Sequence, residues 1–391
     1  MELLYDWLVV GGGIHGCTIA SFLLKKEKVK VERLCIIDPH DEPMYSWKKN
    51  TDTIGMEYLR SPFVHHIDVD PLSLQKYARK ENWERRHFYG NYRRPSLNIF
   101  NEHSESIVNE VGLQRSWQKG FVHSIEKEQG FWKVTTEKGE AVKAQNIVLS
   151  IGLNNQLNIP DWAEELKSDF PAQVFHIFED RMVHPSSLQP PIVIIGGGIT
   201  SAHLTIKLSG MFPGKVILLK RHPFRIHDFD SDPGWLGPKN LTSYHKVTNY
   251  EERRMKIKQA RNKGSLTRDL FYKLKRLERE KKIQIIDGEV ESMFSAGNQI
   301  TLIVGERAIK VHTILLATGF SPSLPGKNWL NQLIIDLKLS CAKCGYPIID
   351  KSLQWCPHLY VSGPLAELEV GPIARNISGA RHAAERIVNS L

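Results

Sequence analysis

Two glycine-rich turns carry the chemistry that this sequence predicts first. The first, Gly11-x-Gly13-x-x-Gly16, follows a short apolar stretch and opens an apolar helical pattern. In such a turn one glycine permits the tight bend, the next lets backbone approach a pyrophosphate, and the third lets the helix pack on its strand. Asp38 closes the next apolar stretch, where its carboxylate is placed to accept from a ribose hydroxyl. We therefore expect a bound adenine dinucleotide here.

A second turn, Gly196-x-Gly198-x-x-Ser201, repeats the pattern, with a serine small enough for close helix packing. The stretch after it ends on Lys220-Arg221 instead of a carboxylate. A carboxylate repels a 2′-phosphate, whereas a guanidinium can hold it through two hydrogen bonds. The second turn therefore predicts NADPH in preference to NADH. Two such sites on one chain favour hydride transfer between FAD in the first and NADPH in the second.

Two strand–helix–strand units must position these turns. In chain order, short apolar runs and helical periodicity predict strands at 5–10 and 34–37 around a helix at 14–24, and strands at 192–195 and 216–219 around a helix at 199–208. A further strand leads into Ala317-Thr318-Gly319. The last helix is expected over residues 373–388, opened by Gly371-Pro372.

Length and composition exclude several classes of protein. The chain has 391 residues, of which 41% are hydrophobic and 24% charged, as in an ordinary globular protein. No apolar run approaches the roughly 20 residues that span a bilayer. Five cysteines, an odd number, do not indicate a disulfide framework in a chain of this length. The N-terminus lacks a secretory signal pattern, so we expect a cytoplasmic protein with reduced thiols.

The net charge of +9 is concentrated in residues 253–282, which hold 13 Lys or Arg against 3 Asp or Glu. The plainest interpretation is the solvated face of helices in an NADPH-binding domain. Nucleic-acid binding would need interleaved aromatic residues or a known module, and only Phe271 and Tyr272 lie in this stretch. We expect no nucleic-acid partner. A membrane surface, an acidic partner and steering of an anionic cofactor remain alternatives.

With both turns and the Ala317-Thr318-Gly319 strand end in place, the sequence resembles class B flavin-dependent monooxygenases. These include flavin-containing monooxygenases and the ornithine and lysine N-hydroxylases, and the resemblance covers nearly the whole chain. It implies an α/β fold with two Rossmann-like domains, in which the NADPH domain is inserted in a discontinuous FAD domain. The implied boundaries are 1–165 and 310–391 for the FAD domain and 166–309 for the NADPH domain.

The resemblance also assigns residues to the flavin. Trp47 and Met56 match the flavin-contacting stretch of the N-hydroxylases, while Lys48 and Glu57 stand where that group has histidine and glutamine. Segment 228–235 occupies the place of the Asn-Glu motif that helps N-hydroxylases hold an amino-acid substrate. Three further glycines match flavin-binding positions of the family: Gly319, Gly363 and Gly371.

The resemblance implies that NADPH reduces the flavin, which then reacts with O₂ to form a C4a-(hydro)peroxide. The protein then needs no nucleophile and no metal, but must orient the nicotinamide and exclude water. We expect oxygenation of a small nitrogen- or sulfur-containing substrate, with amine N-hydroxylation as one form. Arg60, His65 and His66 are candidates for the flavin face, and Asp228 for a cationic substrate. For each, a structural or loop role is the plainer interpretation.

The cysteines support competing hypotheses. A redox disulfide between Cys341 and Cys344 would make the chain a flavin-dependent NADPH reductase of a disulfide or a protein electron acceptor. Together with Cys356 and His358, the pair could instead bind zinc, although this spacing is not a common zinc-finger pattern. Small buried or loop cysteines are the plainest interpretation. A non-catalytic nucleotide-binding protein is a third alternative, because the strand end at 149–152 departs from the family pattern.

Overall fold

The computed structural model describes residues 3–80, 87–153, 156–180 and 184–391. The strands in this part of the chain are β1 (Leu4–Val10), β2 (Leu34–Asp38), β3 (Phe88–Tyr89), β4 (Arg94–Pro95), β5 (Trp117–Lys119), β6 (Val122–Glu128), β7 (Phe131–Thr136), β8 (Ala141–Leu149), β9 (Val174–His176), β10 (Ile192–Ile195), β11 (Val216–Lys220), β12 (Arg225–Ile226), β13 (Ser265–Leu266), β14 (Ile283–Asp287), β15 (Ser292–Ala296), β16 (Gln299–Val304), β17 (Arg307–Val311), β18 (Thr313–Leu316), β19 (Gln354–Cys356) and β20 (Leu359–Val361). The α-helices are α1 (Ile14–Lys25), α2 (Tyr45–Ile54), α3 (Ser73–Lys80), α4 (Leu97–Glu110), α5 (Asp161–Asp169), α6 (Ile199–Met211), α7 (Pro238–His245), α8 (Tyr250–Ala260), α9 (Arg268–Arg279), α10 (Lys327–Asp336), α11 (Glu367–Val370) and α12 (Ile377–Asn389).

The first sheet has the strand order β19-β20-β8-β1-β2-β5, and the β6–β7 hairpin pairs with β8. Strand β1 runs parallel to both of its neighbours, so Val10 lies beside Ile37 and Leu149. Strand β20 continues the parallel order, with Val361 beside Leu149. The carboxyl ends of these strands therefore meet at one edge of the sheet, where an α/β fold places its ligands.

The second sheet is parallel throughout, in the order β14-β11-β10-β18-β9. Ile195 at the end of β10 lies between Leu219 of β11 and Leu316 of β18. The chain leaves this sheet after β14, forms the three-stranded antiparallel sheet β15–β17, and returns to insert β18 beside β10. The second glycine turn consequently starts from the centre of a buried parallel sheet.

Two segments lie in a different unit from the one that the sequence-based division gave them. Strand β18, assigned to the first domain, is central in the second sheet because it pairs with β10 and β9. Helix α5 starts before the predicted boundary, yet Ala163 and Leu166 pack in the core against the second sheet. An isolated β-bridge between Leu157 and Phe320 marks the point where the chain enters and leaves the part of the molecule that contains the second sheet. We therefore call residues 157–320 the second unit and the rest the first unit.

The hydrophobic core of the first unit is formed by the central strands with helices α1 and α12. The last helix begins at Ile377, later than expected, because Pro372–Arg375 form a 3-10 turn first. This turn lies against the helix so closely that a Cβ on Gly379 would sit 2.2 Å from the Ile373 carbonyl oxygen. Across the described residues, we find no helix with the length and apolar character needed to cross a membrane.

Candidate functional site

The first glycine turn (residues 11–16) meets Asp38 at the carboxyl edge of the first sheet. The Gly12 N–H donates to Asp38 Oδ2 at 2.7 Å, and the His40 N–H donates to Oδ1 at 2.9 Å. Burial raises the pKa of Asp38, while these two N–H groups oppose that rise. Each carboxylate oxygen has a second lone pair, so Asp38 can still accept from a ribose hydroxyl at this edge.

The glycines of the first turn fit a diphosphate for separate reasons. A Cβ on Gly16 would lie 1.8 Å from the Gly11 carbonyl oxygen, so the helix can approach its strand only with glycine there. By contrast, a Cβ on Gly13 would meet no heavy atom within 4 Å. Gly13 caps α1, whose first turn carries no acidic residue and no side-chain cap. The free N–H groups of α1 therefore face open space that suits the phosphates of FAD.

Trp117 at the start of β5 explains the middle glycine of this turn. A Cβ on Gly12 would sit 1.9 Å from the Trp117 ring, so the indole packs directly on the turn backbone. The indole N–H donates to the His40 carbonyl oxygen at 2.9 Å. The His40 ring in turn stacks on Tyr45, with their centroids 4.2 Å apart. An aromatic cluster thus flanks the turn on the side of Asp38.

Residues 360–376, which we call the closing segment of the first unit, reach the same edge through Gly363. His15 Nδ1 lies 2.8 Å from Ser362 Oγ, and a Cβ on Gly363 (φ +64°) would lie 3.7 Å from the His15 ring. Burial lowers the pKa of His15 to about 4, so its imidazole is neutral at neutral pH. His15 therefore joins α1 to the closing segment.

Gly371 lies where the second unit covers the first. Its backbone has φ +88°, and a Cβ there would lie 3.7 Å from Leu241 and 3.8 Å from Trp235. Trp235 and Leu241 belong to the second unit, in and beside the segment that replaces the N-hydroxylase substrate motif. Apolar side chains of one unit thus shield a predicted flavin glycine of the other.

The second glycine turn (residues 196–201) repeats the arrangement of the first. We call each glycine turn, together with the helix N-terminus that follows it, a cradle. Gly196 has φ +147°, and a Cβ on it would lie 2.6 Å from the Ala317 carbonyl oxygen at the end of the neighbouring strand. Ser201 donates its hydroxyl to the Gly198 carbonyl oxygen at 2.8 Å, which keeps the helix close to the turn. Helix α6 also begins without an acid or a side-chain cap. This N-terminus fits the diphosphate of a second dinucleotide.

Lys220 and Arg221, expected to act together on a 2′-phosphate, lie in different environments. Lys220 is 3% exposed, and its ammonium group contacts Asp287, lies 3.3 Å from the His222 carbonyl oxygen and sits 4.4 Å from the Phe224 ring centroid. Arg221 is 72% exposed, with Glu289 at 3.9 Å. Strand β11 ends at the buried Lys220 and Arg221 follows it at the surface, so of the two cations Arg221 is the one that an external phosphate can reach.

Arg60, a candidate for the flavin face, binds the second unit instead. Its Nη2 donates to the carbonyl oxygens of His227 at 2.7 Å and Phe229 at 2.8 Å, and its Nε donates to that of Asp228 at 3.2 Å. Nη1 lies 3.8 Å from Asp230. The guanidinium therefore fixes the backbone of the loop at 227–230. The Asp228 carboxylate lies exposed on this loop.

His66, one of the two histidine candidates, makes its hydrogen bonds within the first unit. His66 is fully buried, its Nε2 donates to the Pro71 carbonyl oxygen at 3.1 Å, and its Nδ1 accepts from the Asp68 N–H at 3.2 Å. Both ring nitrogens are thus used within the first unit, where the ring also packs against His103. Burial, followed by the charge of Arg381, lowers the pKa of both His65 and His66 to about 4.

The other flavin candidates lie at the junction of the units. Trp47 donates its indole N–H to Asn101 at 3.0 Å, and Met56 packs against the cores of both units. Gly319, with φ +79°, follows β18 of the second sheet, and its carbonyl oxygen accepts from His176 Nε2 at 3.0 Å. Gly319 is therefore placed where the chain returns to the first unit.

A buried cluster of arginines and glutamates, which we call the clamp, holds the units together. Its members are Arg253 and Arg254 of α8, Glu367 and Glu369 of α11, and Arg375 and Arg386. Glu367 is 1% exposed, accepts from Arg375 at 2.7 and 3.0 Å, and also contacts Arg254. Glu369 accepts from Arg253 at 2.9 Å. The basic stretch is therefore not wholly a solvated face, because it begins with two buried ion pairs.

Comparison with known families and structures gives this geometry a context. A family described as pyridine nucleotide-disulphide oxidoreductase matches residues 5–385. The chain belongs to this family.

Solved structures share the fold of this oxidoreductase over its whole length. Ornithine N-hydroxylase from Kutzneria sp. 744 is 15% identical, with 99% of each chain covered and a TM-score of 0.76. Ornithine hydroxylase from Pseudomonas aeruginosa is 18% identical, with 99% of this chain and 98% of that chain covered and a TM-score of 0.75. Bacillithiol disulfide reductase from Bacillus cereus is 17% identical, with 99% and 98% covered and a TM-score of 0.60. A search of curated proteins found no match to the sequence.

These matches confirm the predicted α/β fold with two dinucleotide-binding units and the resemblance to class B flavin-dependent monooxygenases. Family membership also confirms the prediction of an oxidoreductase that uses a pyridine nucleotide. The roles of the individual site residues remain predictions.

The structure does not assemble the four residues of the zinc hypothesis. His358 Nδ1 lies 2.9 Å from the side-chain oxygen of Asn146. Among the described residues, no group of three or more His, Cys, Asp or Glu side chains is placed to hold a metal ion. Cys341 and Cys344 lie in one hairpin, where Cys341 bridges to Pro347 and the Ala342 N–H donates to the Tyr346 carbonyl oxygen at 2.9 Å.

Sequence reasoning missed the residues that act between distant segments. Trp117 and Trp235 each touch a predicted site glycine from another part of the chain, and Glu367 contacts Arg254 of the basic stretch. The only signal for the clamp was the opposite charge of Arg253-Arg254 and the Glu367–Glu369 segment, and nothing local indicated that they meet.

Proposed function

We propose that this oxidoreductase is an NADPH- and FAD-dependent monooxygenase that adds one oxygen atom of O₂ to a small nitrogen- or sulfur-containing compound. The observation that carries the proposal is the pair of cradles, each at the carboxyl edge of its own sheet, with side chains of the NADPH unit covering Gly371 of the flavin unit. Hydride donor and acceptor would then face each other at the junction. We place the reaction in the cytoplasm.

The residues proposed to hold the cofactors follow from the two cradles. FAD would lie against the first glycine turn, Asp38 and the closing segment, whose glycines have the positive φ angles that a close approach needs. NADPH would lie against the second glycine turn, with Arg221 on its 2′-phosphate. When bound, FAD supplies hydride acceptance and the activation of O₂.

This chain's own side chains keep water away from the junction and fix its geometry. Trp235 and Leu241 present apolar atoms to Gly371. Arg60 fixes the loop at 227–230, and the clamp fixes α8 against α11. Exclusion of water protects a reactive oxygen species from wasteful breakdown. In this proposal the protein supplies positioning and shielding, which is supported by the hydrogen bonds that His66 and Arg60 make within the protein.

A small amine is the substrate class that we propose first. Solved structures with the same fold include ornithine N-hydroxylases and a cadaverine monooxygenase. On the loop that Arg60 holds, Asp230 is paired with Arg60 and Arg261, at 3.8 and 3.2 Å. The exposed Asp228 is the neighbouring carboxylate that a cationic amine would meet.

Stopped-flow absorbance of the FAD-loaded protein tests the proposal. NADPH added without oxygen is expected to bleach the flavin band. Oxygen added next is expected to give a near-ultraviolet absorbance that persists for seconds, and an amine substrate should shorten its lifetime. Immediate reoxidation with peroxide release, together with NADPH-dependent reduction of an added disulfide, would instead support the reductase alternative. An FAD-loaded protein that never oxidises NADPH would support the non-catalytic alternative.

A further inference from the structure

We propose that a groove on the surface of the second unit binds small amphipathic anions, in which an alkyl chain carries a carboxylate. The groove lies between the C-terminal halves of α6 and α9 and has a volume of about 420 Å³. This volume falls within the range of small-molecule sites, roughly 300–1,000 Å³. The inference is independent of the proposed oxygenation, because binding in this groove requires no electron transfer.

The floor of the groove is apolar. Leu277 of α9 belongs to the core of the second unit, and Ile206 of α6 packs against that core. Pro213, which follows α6, also lines the groove. The loop after α6 is fixed there because the Gly214 N–H donates to the Lys282 carbonyl oxygen at 2.7 Å. An alkyl chain that packs on this floor loses contact with water, and so does the floor, which favours binding.

Gly210 leaves one wall of the groove open. It lies within α6 and does not have the left-handed backbone conformation that favours glycine. A Cβ on Gly210 would meet no heavy atom within 4 Å. Neither backbone conformation nor packing therefore requires glycine here, although glycine weakens a helix relative to alanine. The missing side chain instead provides open space over the helix, which a ligand in the groove can occupy.

Cations surround the apolar floor. Lys273, Arg276 and Lys282 line the groove with 41%, 61% and 49% of their side chains exposed, so their charged ends can reach a ligand. The described residues that line the groove include no carboxylate. Two of these cations share Glu280, which lies 2.8 Å from Lys282 and 3.8 Å from Arg276. The rim therefore keeps an excess of positive charge, which attracts a carboxylate and repels an amine.

Lys273 links the groove to the first unit. Its ammonium group donates to Glu57 Oε2 at 2.6 Å. Glu57 follows Met56, which packs against the cores of both units. A carboxylate in the groove has to share this ammonium group with Glu57. Removal of the Glu57 charge is therefore expected to strengthen binding of the ligand.

Isothermal titration calorimetry of the FAD-loaded protein with octanoate tests the proposal. We expect saturable binding of one octanoate per chain. Affinity should rise by about twofold to fourfold for each added methylene from hexanoate to octanoate, octanol should bind more weakly, and octylamine should not bind. Absence of saturable binding would overturn the proposal. So would equal binding of octylamine, or an affinity independent of chain length, which would indicate contact with surface charge alone.

Variants test whether octanoate lies in the groove. Gly210→Leu fills the open space and should abolish binding, while the fold is retained because leucine favours a helix over glycine. Lys273→Met should weaken binding by about threefold to fivefold, and Glu57→Gln should strengthen it by about twofold to threefold. Lys256→Met is the matched control, because Lys256 is also 41% exposed and paired with a glutamate, Glu252, but does not line the groove.

The variants can also contradict the assignment. Octanoate binding that survives Gly210→Leu, or that weakens in Glu57→Gln, would overturn the proposal, as would an equal loss in Lys256→Met and Lys273→Met. A normal far-ultraviolet circular dichroism spectrum of each variant shows that the fold is retained.

Discussion

The two glycine turns start from the same strand–turn–helix geometry but differ in what surrounds them. The first is enclosed: Trp117 packs on Gly12, Asp38 accepts from the turn, and His15 joins it to the closing segment. The second is open, with Arg221 exposed beside it and Lys220 turned into the protein. We therefore expect the enclosed turn to retain its cofactor and the open turn to exchange one, with residues outside the motif making the difference.

The largest effect is expected when a side-chain carbon is added to a glycine of the first turn. Gly16→Ala places a Cβ 1.8 Å from a backbone oxygen that cannot move aside, so we expect a loss of about 3 kcal/mol in the free energy of unfolding and loss of bound FAD. Urea unfolding and the flavin absorbance measure both effects. Gly13→Ala is the matched control, because its Cβ meets open space. It should keep the stability and weaken only FAD binding.

Buried histidines make both units sensitive to acid, because burial also lowers the pKa values of His176 and His203 in the second unit to about 4. Burial lowers the pKa of His66 to about 4 and that of His103 to about 3 in the first unit. Because the native state holds these rings neutral while the unfolded chain protonates them near pH 6.5, stability is present above pH 6.5 and is lost as the pH falls toward 4. Each pKa unit corresponds to about 1.4 kcal/mol.

Thermal unfolding between pH 7 and pH 5 checks this expectation. We expect a lower midpoint at pH 5, and His103→Gln should flatten the dependence. A midpoint that rises on acidification would contradict the assignment of neutral histidines.

At the second turn, the preference for NADPH over NADH tests whether the exposed Arg221 binds the cofactor. Arg221→Ala is expected to weaken NADPH binding by about 1–3 kcal/mol because it removes one charge-assisted contact, and to leave NADH binding little changed. Steady-state KM values for both cofactors measure the difference. Lys220→Met should lower stability without changing the preference, since its ammonium group already binds Asp287. Equal losses for both cofactors in Arg221→Ala would remove the basis for NADPH selectivity.

The smallest effect is expected at the substrate loop. Asp228→Asn should raise KM for a cationic amine by roughly threefold to tenfold, as for one exposed ion pair, with little change in NADPH oxidation without substrate. Asp180→Asn, in an exposed ion pair with Lys49, is the control for a simple loss of charge. An unchanged KM would contradict a contact between Asp228 and a cationic amine and would favour an uncharged substrate.

The local parts of the fold could be predicted from the sequence. Gly11, Gly13 and Gly16 lie in one turn with Asp38 beside them because a βαβ unit fixes these positions within a few residues. The partners of that unit could not be predicted. The position of β18 depends on pairing with a strand more than a hundred residues away, and Lys220 is buried by Asp287 whereas Arg221, the next residue, is exposed. Spacing in sequence defines turns, whereas packing between distant segments defines which side chains face the cofactors.

The clamp has a consequence for the order in which this molecule can be completed. Arg253 and Arg254 emerge from the ribosome more than a hundred residues before Glu367 and Glu369. Domains tend to fold as they are synthesised, so the second unit can assemble while its partners for these arginines do not yet exist. Its docking must wait for the closing segment, which also completes the flavin edge. Because the closing segment carries both the clamp carboxylates and part of the flavin edge, we expect flavin binding and docking of the two units to occur together, late in biosynthesis.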